Sequence, residues 1–233
     1  MPFLRFSRAG LNLDCLLDQS NVAQIFISFS VLLFSLTVHE LAHAWTADRL
    51  GDPTARLLGR VSLNPIVHID PIGTVLFPLI AAVSGVPLIG WAKPVPVSVR
   101  RLGHPRRDYV LVAAAGPASN LVLALIAAIA LRIVPVTPVT IGEPNVSAPI
   151  VTLLAQLRQI NVLLAVFNLI PIPPLDGSGV VMSVFGGPVA RLYAVIAPFG
   201  FLILILLLTS GFLSRLLAPA QLAVLRLVFG GMQ

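Results

Sequence analysis

The chain has one cysteine, Cys15, among its 233 residues. That excludes an internal disulfide, and it excludes a metal site built from thiolates. Charge is scarce too. Asp, Glu, Lys and Arg make up 10% of the residues, where a soluble domain carries about 25%. So few charges cannot clothe a water-facing surface, and 57% of the residues are hydrophobic. The composition is that of an all-α polytopic membrane protein, with room for about five or six helical crossings joined by short connections. The net charge of +6 is no footprint of nucleic-acid binding. The Lys and Arg residues cluster in loops beside apolar runs, as the positive-inside rule expects, without interleaved aromatics. Internal repeats are absent. The first apolar run lacks a small-residue cleavage site, so it is expected to stay in the protein.

What that run carries is His39-Glu40-Leu41-Ala42-His43. On a helix, residues four apart share a face, so two imidazoles can hold one metal ion with Glu40 beside them to take a proton from water. From Asn21 to Val38 nothing is charged, and the first charges after His43 are Asp48 and Arg49. A chance motif here would bury two imidazoles and a carboxylate without partners, at a cost of several kcal/mol by order of magnitude. The motif therefore reads as a functional metal site.

Taken in order, residues 1–21 read as a lead-in. Residues 22–48 form a spanning helix that Gly51-Asp52-Pro53 ends. Residues 54–69 are a surface loop. Residues 71–90 are apolar but broken by prolines and glycines. Ile89–Val99 reads as a short membrane-associated edge strand, since Pro94 and Pro96 are tolerated at edges. Tyr109–Val134, Ile150–Ile170 and Val189–Leu208 read as spans. Arg215–Phe229 is a last apolar helix, which spans or lies at the interface. By domain, 22–188 would form the core and 189–233 a C-terminal pair of membrane helices.

Two histidines leave a tetrahedral zinc in need of a third protein ligand. His68, His104, Asp70, Asp108 and Asp176 are candidates. Asp176 is the best, because it lies between apolar helices, just after prolines that free backbone groups to line a polar cavity. His68 reads as a loop histidine satisfied by its neighbours.

The histidine-glutamate motif in a membrane helix, followed by Asn168-x-x-Pro171-x-Pro173-Pro174-Leu175-Asp176-Gly177 after a later one, resembles the site-2 protease family of intramembrane zinc metalloproteases. The Gly116-Pro117 helix fits as well, and the resemblance spans about residues 30–185. It is to the compact bacterial and archaeal members without a PDZ insert. The resemblance implies one zinc per chain held by His39, His43 and Asp176, Glu40 as the catalytic base, and Asn168 as a group that stabilises the oxyanion. Residues 62–88 look like an insertion relative to the simplest family pattern.

The ligands constrain topology. His39 lies about 27 Å along its helix from Asn21, and Asp176 comes just after the end of the 150–170 helix. They can share a metal only if those helices run parallel, so 71–90 is expected to be re-entrant. The cations Arg49, Arg56, Arg60, Lys93, Arg100, Arg101, Arg106, Arg107 and Arg191 then fall on one side. The positive-inside rule places the active site toward the cytoplasmic face of a prokaryotic inner membrane. Single-pass membrane proteins in the bilayer are the expected substrates, added along the strand edge at Trp91, Ala92 and Lys93. The alternatives are a membrane transporter of metal ions or protons and an inactive protease-like scaffold. A transporter of repeat architecture would show internal symmetry, and a scaffold has no use for Glu40.

Overall fold

The computed structural model describes residues 19–84, 90–134 and 147–229. The lead-in expected before Gln19 and most of the 135–149 loop lie outside the described residues. Helix α1 (Gln19–Arg49) is the apolar run that carries the motif. It ends because Gly51 takes a positive φ of 106°, which glycine adopts without a Cβ penalty. The Asp52 N–H then reaches Ala47 O at 2.9 Å and the Gly51 N–H reaches Asp48 O at 3.3 Å. This paired arrangement satisfies the last carbonyls of the helix.

Asp52 anchors the turn beyond the helix to a distant loop. Its side chain is fully buried. One oxygen accepts the Thr54 N–H at 3.1 Å and the Thr54 hydroxyl, and the other accepts the Ser98 N–H at 2.6 Å. Burial works against the charge, but the Thr54 and Ser98 donors and the nearby Arg101 outweigh it. They hold the carboxyl below its ordinary 3.8. A lowered folded value means this stability is present above 3.8 and is lost as pH falls through the folded value. Asp52→Asn should cost about 2–3 kcal/mol at neutral pH. Thermal unfolding in detergent should show that difference between variant and wild type shrinking as pH drops below 3.8.

After a helical turn, α2 (Thr54–Leu57), the chain makes a 3-10 turn at Pro65–His68 capped by Asn64. A π-helical turn at Pro71–Leu76 comes next, capped by Asp70, and leads into α3 (Phe77–Ser84). The apolar stretch Pro71–Ile80 is shorter than a span. Its two flanks meet. Lys93 N–H donates to His68 O at 2.9 Å, Trp91 N–H to Gly73 O at 3.2 Å, and the Thr74 hydroxyl to Trp91 O at 2.7 Å. The segment leaves and returns at the same place.

Residues 90–98 have no regular secondary structure, and the edge strand expected there is not part of a sheet among the described residues. Pro94 and Pro96 have no N–H for a ladder, and the N–H groups of Trp91, Lys93, Val95 and Ser98 are taken by non-strand partners. We call 90–98 the strap.

Helix α4 (Pro105–Ile133) starts at the end of α1, where Gly103 N–H meets Leu50 O at 3.0 Å. The buried Asp108 accepts the His104 N–H at 2.6 Å. Helix α5 (Ser147–Asn168) packs on both. Apolar burial gives little drive between helices in lipid, so close approach through small residues matters more. Ala124 and Ala128 of α4 pack on Val162 of α5. Between α1 and α5, Ser28 donates to Gln156 Oε1 at 2.9 Å, and Asn161 Nδ2 donates to Ser35 Oγ at 2.8 Å. Residue numbers rise together along both helices, so α1 and α5 are parallel, as the metal argument requires.

The turn after α5 leads into α6 (Asp176–Phe185). Beyond it come α7 (Gly187–Ile196), α8 (Gly200–Thr209) and α9 (Phe212–Phe229). Among the described residues four segments are long and apolar enough to cross a membrane: Gln24–Arg49, Pro105–Ile133, Pro149–Asn168 and Gly187–Thr209. That is fewer than the expected five or six. The stretch Pro71–Ile80 is short and its flanks meet, and α9 carries Arg215, Arg226 and an internal Pro219. Large apolar side chains such as Val122, Ile126 and Ile133 on α4, and Leu202 and Leu206 on α8, are exposed. Those faces suit lipid.

Candidate metal centre

Helix α1 sets His39 and His43 one turn apart, both buried, with ring centroids 4.6 Å apart. Their Nε2 atoms face each other at 3.1 Å. Asp176, at the first turn of α6, meets both. Its Oδ2 is 3.2 Å from His39 Nε2, and its Oδ1 is 3.3 Å from His43 Nε2. These three are the group of metal-ligating side chains among the described residues. Asp176 can sit here because Gly177 comes next in the chain. A Cβ at Gly177 would lie 2.3 Å from Leu169 O and 2.6 Å from Ile170 O, so only glycine lets α6 start against the end of α5.

The residues fit a zinc ion. Bonds of about 2.0–2.1 Å in a tetrahedron place neighbouring ligand atoms roughly 3.3 Å apart, and the closest approaches here are 3.1, 3.2 and 3.3 Å. His43 Nδ1 is 2.7 Å from Val112 O. A carbonyl only accepts, so the proton sits on Nδ1 and the Nε2 lone pair is left for a metal. The opposite wall is Gly116, one turn beyond Val112 on α4. A Cβ there would lie 2.3 Å from His43 Nε2 and 2.7 Å from His39 Nε2. The backbone of α4 therefore comes within reach of both imidazoles.

Glu40 is buried beside the histidines, and its Oε2 accepts the Val95 N–H at 2.8 Å. Asn168 closes α5, and its Nδ2 donates to Leu164 O at 3.0 Å in its own helix. Trp91 packs against Phe77 and Phe201, each at 5.0 Å between centroids. Ala92 is buried, and the Lys93 side chain is exposed. The other candidate ligands serve elsewhere. His68 is buried with Nε2 2.9 Å from Ser62 O, Asp70 and Asp108 cap turns, and His104 is exposed. Sequence reasoning missed the Val112 carbonyl and the Val95 N–H. It took Gly116 only as part of the Gly116-Pro117 helix that fits the resemblance.

A buried pair of histidines and a carboxylate, with a glutamate alongside and membrane-length helices around them, defines a membrane-embedded metallohydrolase. The sequence matches the model of peptidase family M50 over residues 27–140 and 134–207. It is 38% identical over 192 residues to "Putative zinc metalloprotease YwhC" of Bacillus subtilis (strain 168), covering 81% of this chain and 82% of that protein. It is 32% identical over 208 residues to Rip2 of Mycolicibacterium smegmatis, described in the same words, covering 89% of this chain and 76% of that one. Rip2 of Mycobacterium tuberculosis (strain H37Rv) is 34% identical over 146 residues, covering 62% and 52%. No solved structure matches the chain. The chain belongs to peptidase family M50, the site-2 proteases. It is an integral membrane zinc metalloprotease of that type, and the transport and scaffold alternatives gain no support.

Proposed function

We propose that His39, His43 and Asp176 hold the zinc, that Glu40 is the base, and that the enzyme cuts single-pass membrane proteins at a site set in the bilayer near its cytoplasmic face. The observation that carries this reading is the convergence of three ligand atoms at 3.1–3.3 Å, with His43 oriented by Val112 O. Zinc, when bound, acidifies water and polarises the scissile carbonyl. Glu40 takes the proton of the attacking water and returns it to the leaving amine. Asn168 stabilises the oxyanion; its amide carries a second N–H besides the one it gives to Leu164 O.

His43 lies about 9 Å from the end of α1 at the helical rise, which sets the chemistry below the membrane surface. Arg49, Arg56, Arg100, Arg101, Arg106 and Arg107 gather at that end, where α1 meets the start of α4. The positive-inside rule makes it cytoplasmic. A re-entrant 71–90 segment keeps α1 and α5 parallel across it. A substrate helix must unwind before its carbonyl can be attacked. Pro94 and Pro96 offer no donors, so a substrate laid along the strap is held mainly through strap carbonyls that its own N–H groups reach.

Zinc content of detergent-purified protein tests the ligand set. Wild type should carry one zinc per chain, and Asp176→Ala should lose at least about nine-tenths of it, because two imidazoles alone form an incomplete site. Full zinc retention in Asp176→Ala would remove the aspartate from the set.

A further inference from the structure

The strap is fastened along one edge at every second residue. Trp91 N–H goes to Gly73 O at 3.2 Å, Lys93 N–H to His68 O at 2.9 Å, and Val95 N–H to Glu40 Oε2 at 2.8 Å. Further on, Ser98 N–H goes to Asp52 Oδ2 at 2.6 Å. The first two partners are backbone, and Asp52 is a loop carboxylate. Glu40 alone of the four belongs to the site. Two residues before Val95, the Lys93 carbonyl accepts from the Arg60 guanidinium.

Arg60 is 6% exposed. Its Nε has no hydrogen-bond partner, and no carboxylate lies within ion-pair distance of it among the described residues. A guanidinium buried this way is costly, so its grip on the strap calls for a reason. The prolines supply the rest. The residue before a proline is confined to extended backbone, so Pro96 confines Val95 and Pro94 confines Lys93. The Val95 N–H is therefore aimed before any substrate arrives.

We infer that the strap is a positioning device for the catalytic glutamate: Arg60, through the Lys93 carbonyl, holds Val95 so that its N–H fixes one oxygen of Glu40 and leaves the other to take the proton. Val95 and Arg60 are positioning residues. This rests on the reading of Glu40 as the base. A carboxylate on a flexible stem that loses such a bond spends most of its time misaimed, and misplacement of about 1 Å can cost about a hundredfold in rate.

Val95→Pro deletes the N–H at a position already confined to extended backbone, and Val95→Ala trims the side chain but keeps the N–H. With a transmembrane peptide substrate in detergent, Val95→Pro should keep one zinc per chain and a KM within about twofold. Its kcat should fall about 10–100-fold, and Val95→Ala should exceed it at least about tenfold. Arg60→Met should lower kcat about 3–10-fold at unchanged zinc and KM, with Arg60→Lys recovering part of it. The Arg60→Met/Val95→Pro double variant should be no slower than Val95→Pro alone, since Arg60 then has nothing to act through.

A wild-type kcat in Val95→Pro, a raised KM at unchanged kcat, or losses that multiply in the double variant would overturn the inference. If Val95→Pro fails to fold or loses zinc, the Arg60 pair decides, and an unchanged kcat in Arg60→Met overturns it. Glu40→Gln is assayed alongside. Activity there would bring down the base assignment itself, whereas an inactive Glu40→Gln beside a fully active Val95→Pro would bring down the strap alone.

Discussion

Glu40→Gln should bind a full complement of zinc and cleave at least about a thousandfold more slowly than wild type. The size comes from the role. General-base catalysis contributes about 10²–10⁴ in rate, and a glutamine amide cannot take the proton at all. The retained zinc comes from the geometry, because Glu40 is absent from the group of ligating atoms formed by His39, His43 and Asp176. Glutamine keeps a carbonyl oxygen that can accept the Val95 N–H now bound by Glu40 Oε2, so the strap has no cause to move. Metal content and kcat measured on the same preparation separate the two effects. Cleavage at more than about a tenth of the wild-type rate would show that another group takes the proton. Loss of zinc would show that the carboxylate supports the metal, and the assignment of base against ligand would need to be redrawn.

Side-chain chemistry was legible in the sequence, and backbone chemistry was not. The spacing of His39 and His43 on a helix places both imidazoles on one face whatever surrounds them. Asp176 stood out as a carboxylate between apolar helices, and the structure brings it to within 3.3 Å of both. The meeting of the two flanks of 71–90 was also within reach, because parity alone forbids a full crossing if α1 and α5 are to be parallel. What could not be read were groups every residue possesses. The Val112 carbonyl that orients His43 and the Val95 N–H that holds Glu40 have no residue type to mark them. The strap went astray for a related reason. Alternation and β-branching in Ile89–Val99 favour extended backbone, but a strand also needs a partner. The partners of 91–98 are turns, carbonyls and carboxylates. Gly116 was visible as a small residue on α4, yet nothing in its neighbours said that the small face met histidines rather than another helix.

That face supports the second large effect. Gly116→Ala should fold and reach the membrane but hold less than about a tenth of the wild-type zinc, and its proteolysis should fall in proportion. The added methyl would lie 2.3 Å from His43 Nε2, 2.5 Å from His39 Cε1 and 2.7 Å from His39 Nε2, all far inside van der Waals contact. The obstructed atoms include both nitrogens that face the metal position. Either the rings rotate or α4 backs away from α1. Rotation breaks the bond from His43 Nδ1 to Val112 O, 2.7 Å long, and turns the lone pair from the metal. Retreat of α4 carries Val112 away and has the same end. Overpacking of this kind costs about 1–3 kcal/mol, which a packed bundle survives, so the defect should appear in metal binding before it appears in folding. Gly187→Ala is the matching control, because a Cβ there meets nothing within 4 Å, and its zinc and activity should stay at wild-type levels. Glu40→Gln and Gly116→Ala thus fail differently, the first loaded and inactive, the second empty. A Gly116→Ala protein that retained its zinc would mean that α4 does not press on the histidines, and the orientation of His43 by Val112 would fall with it.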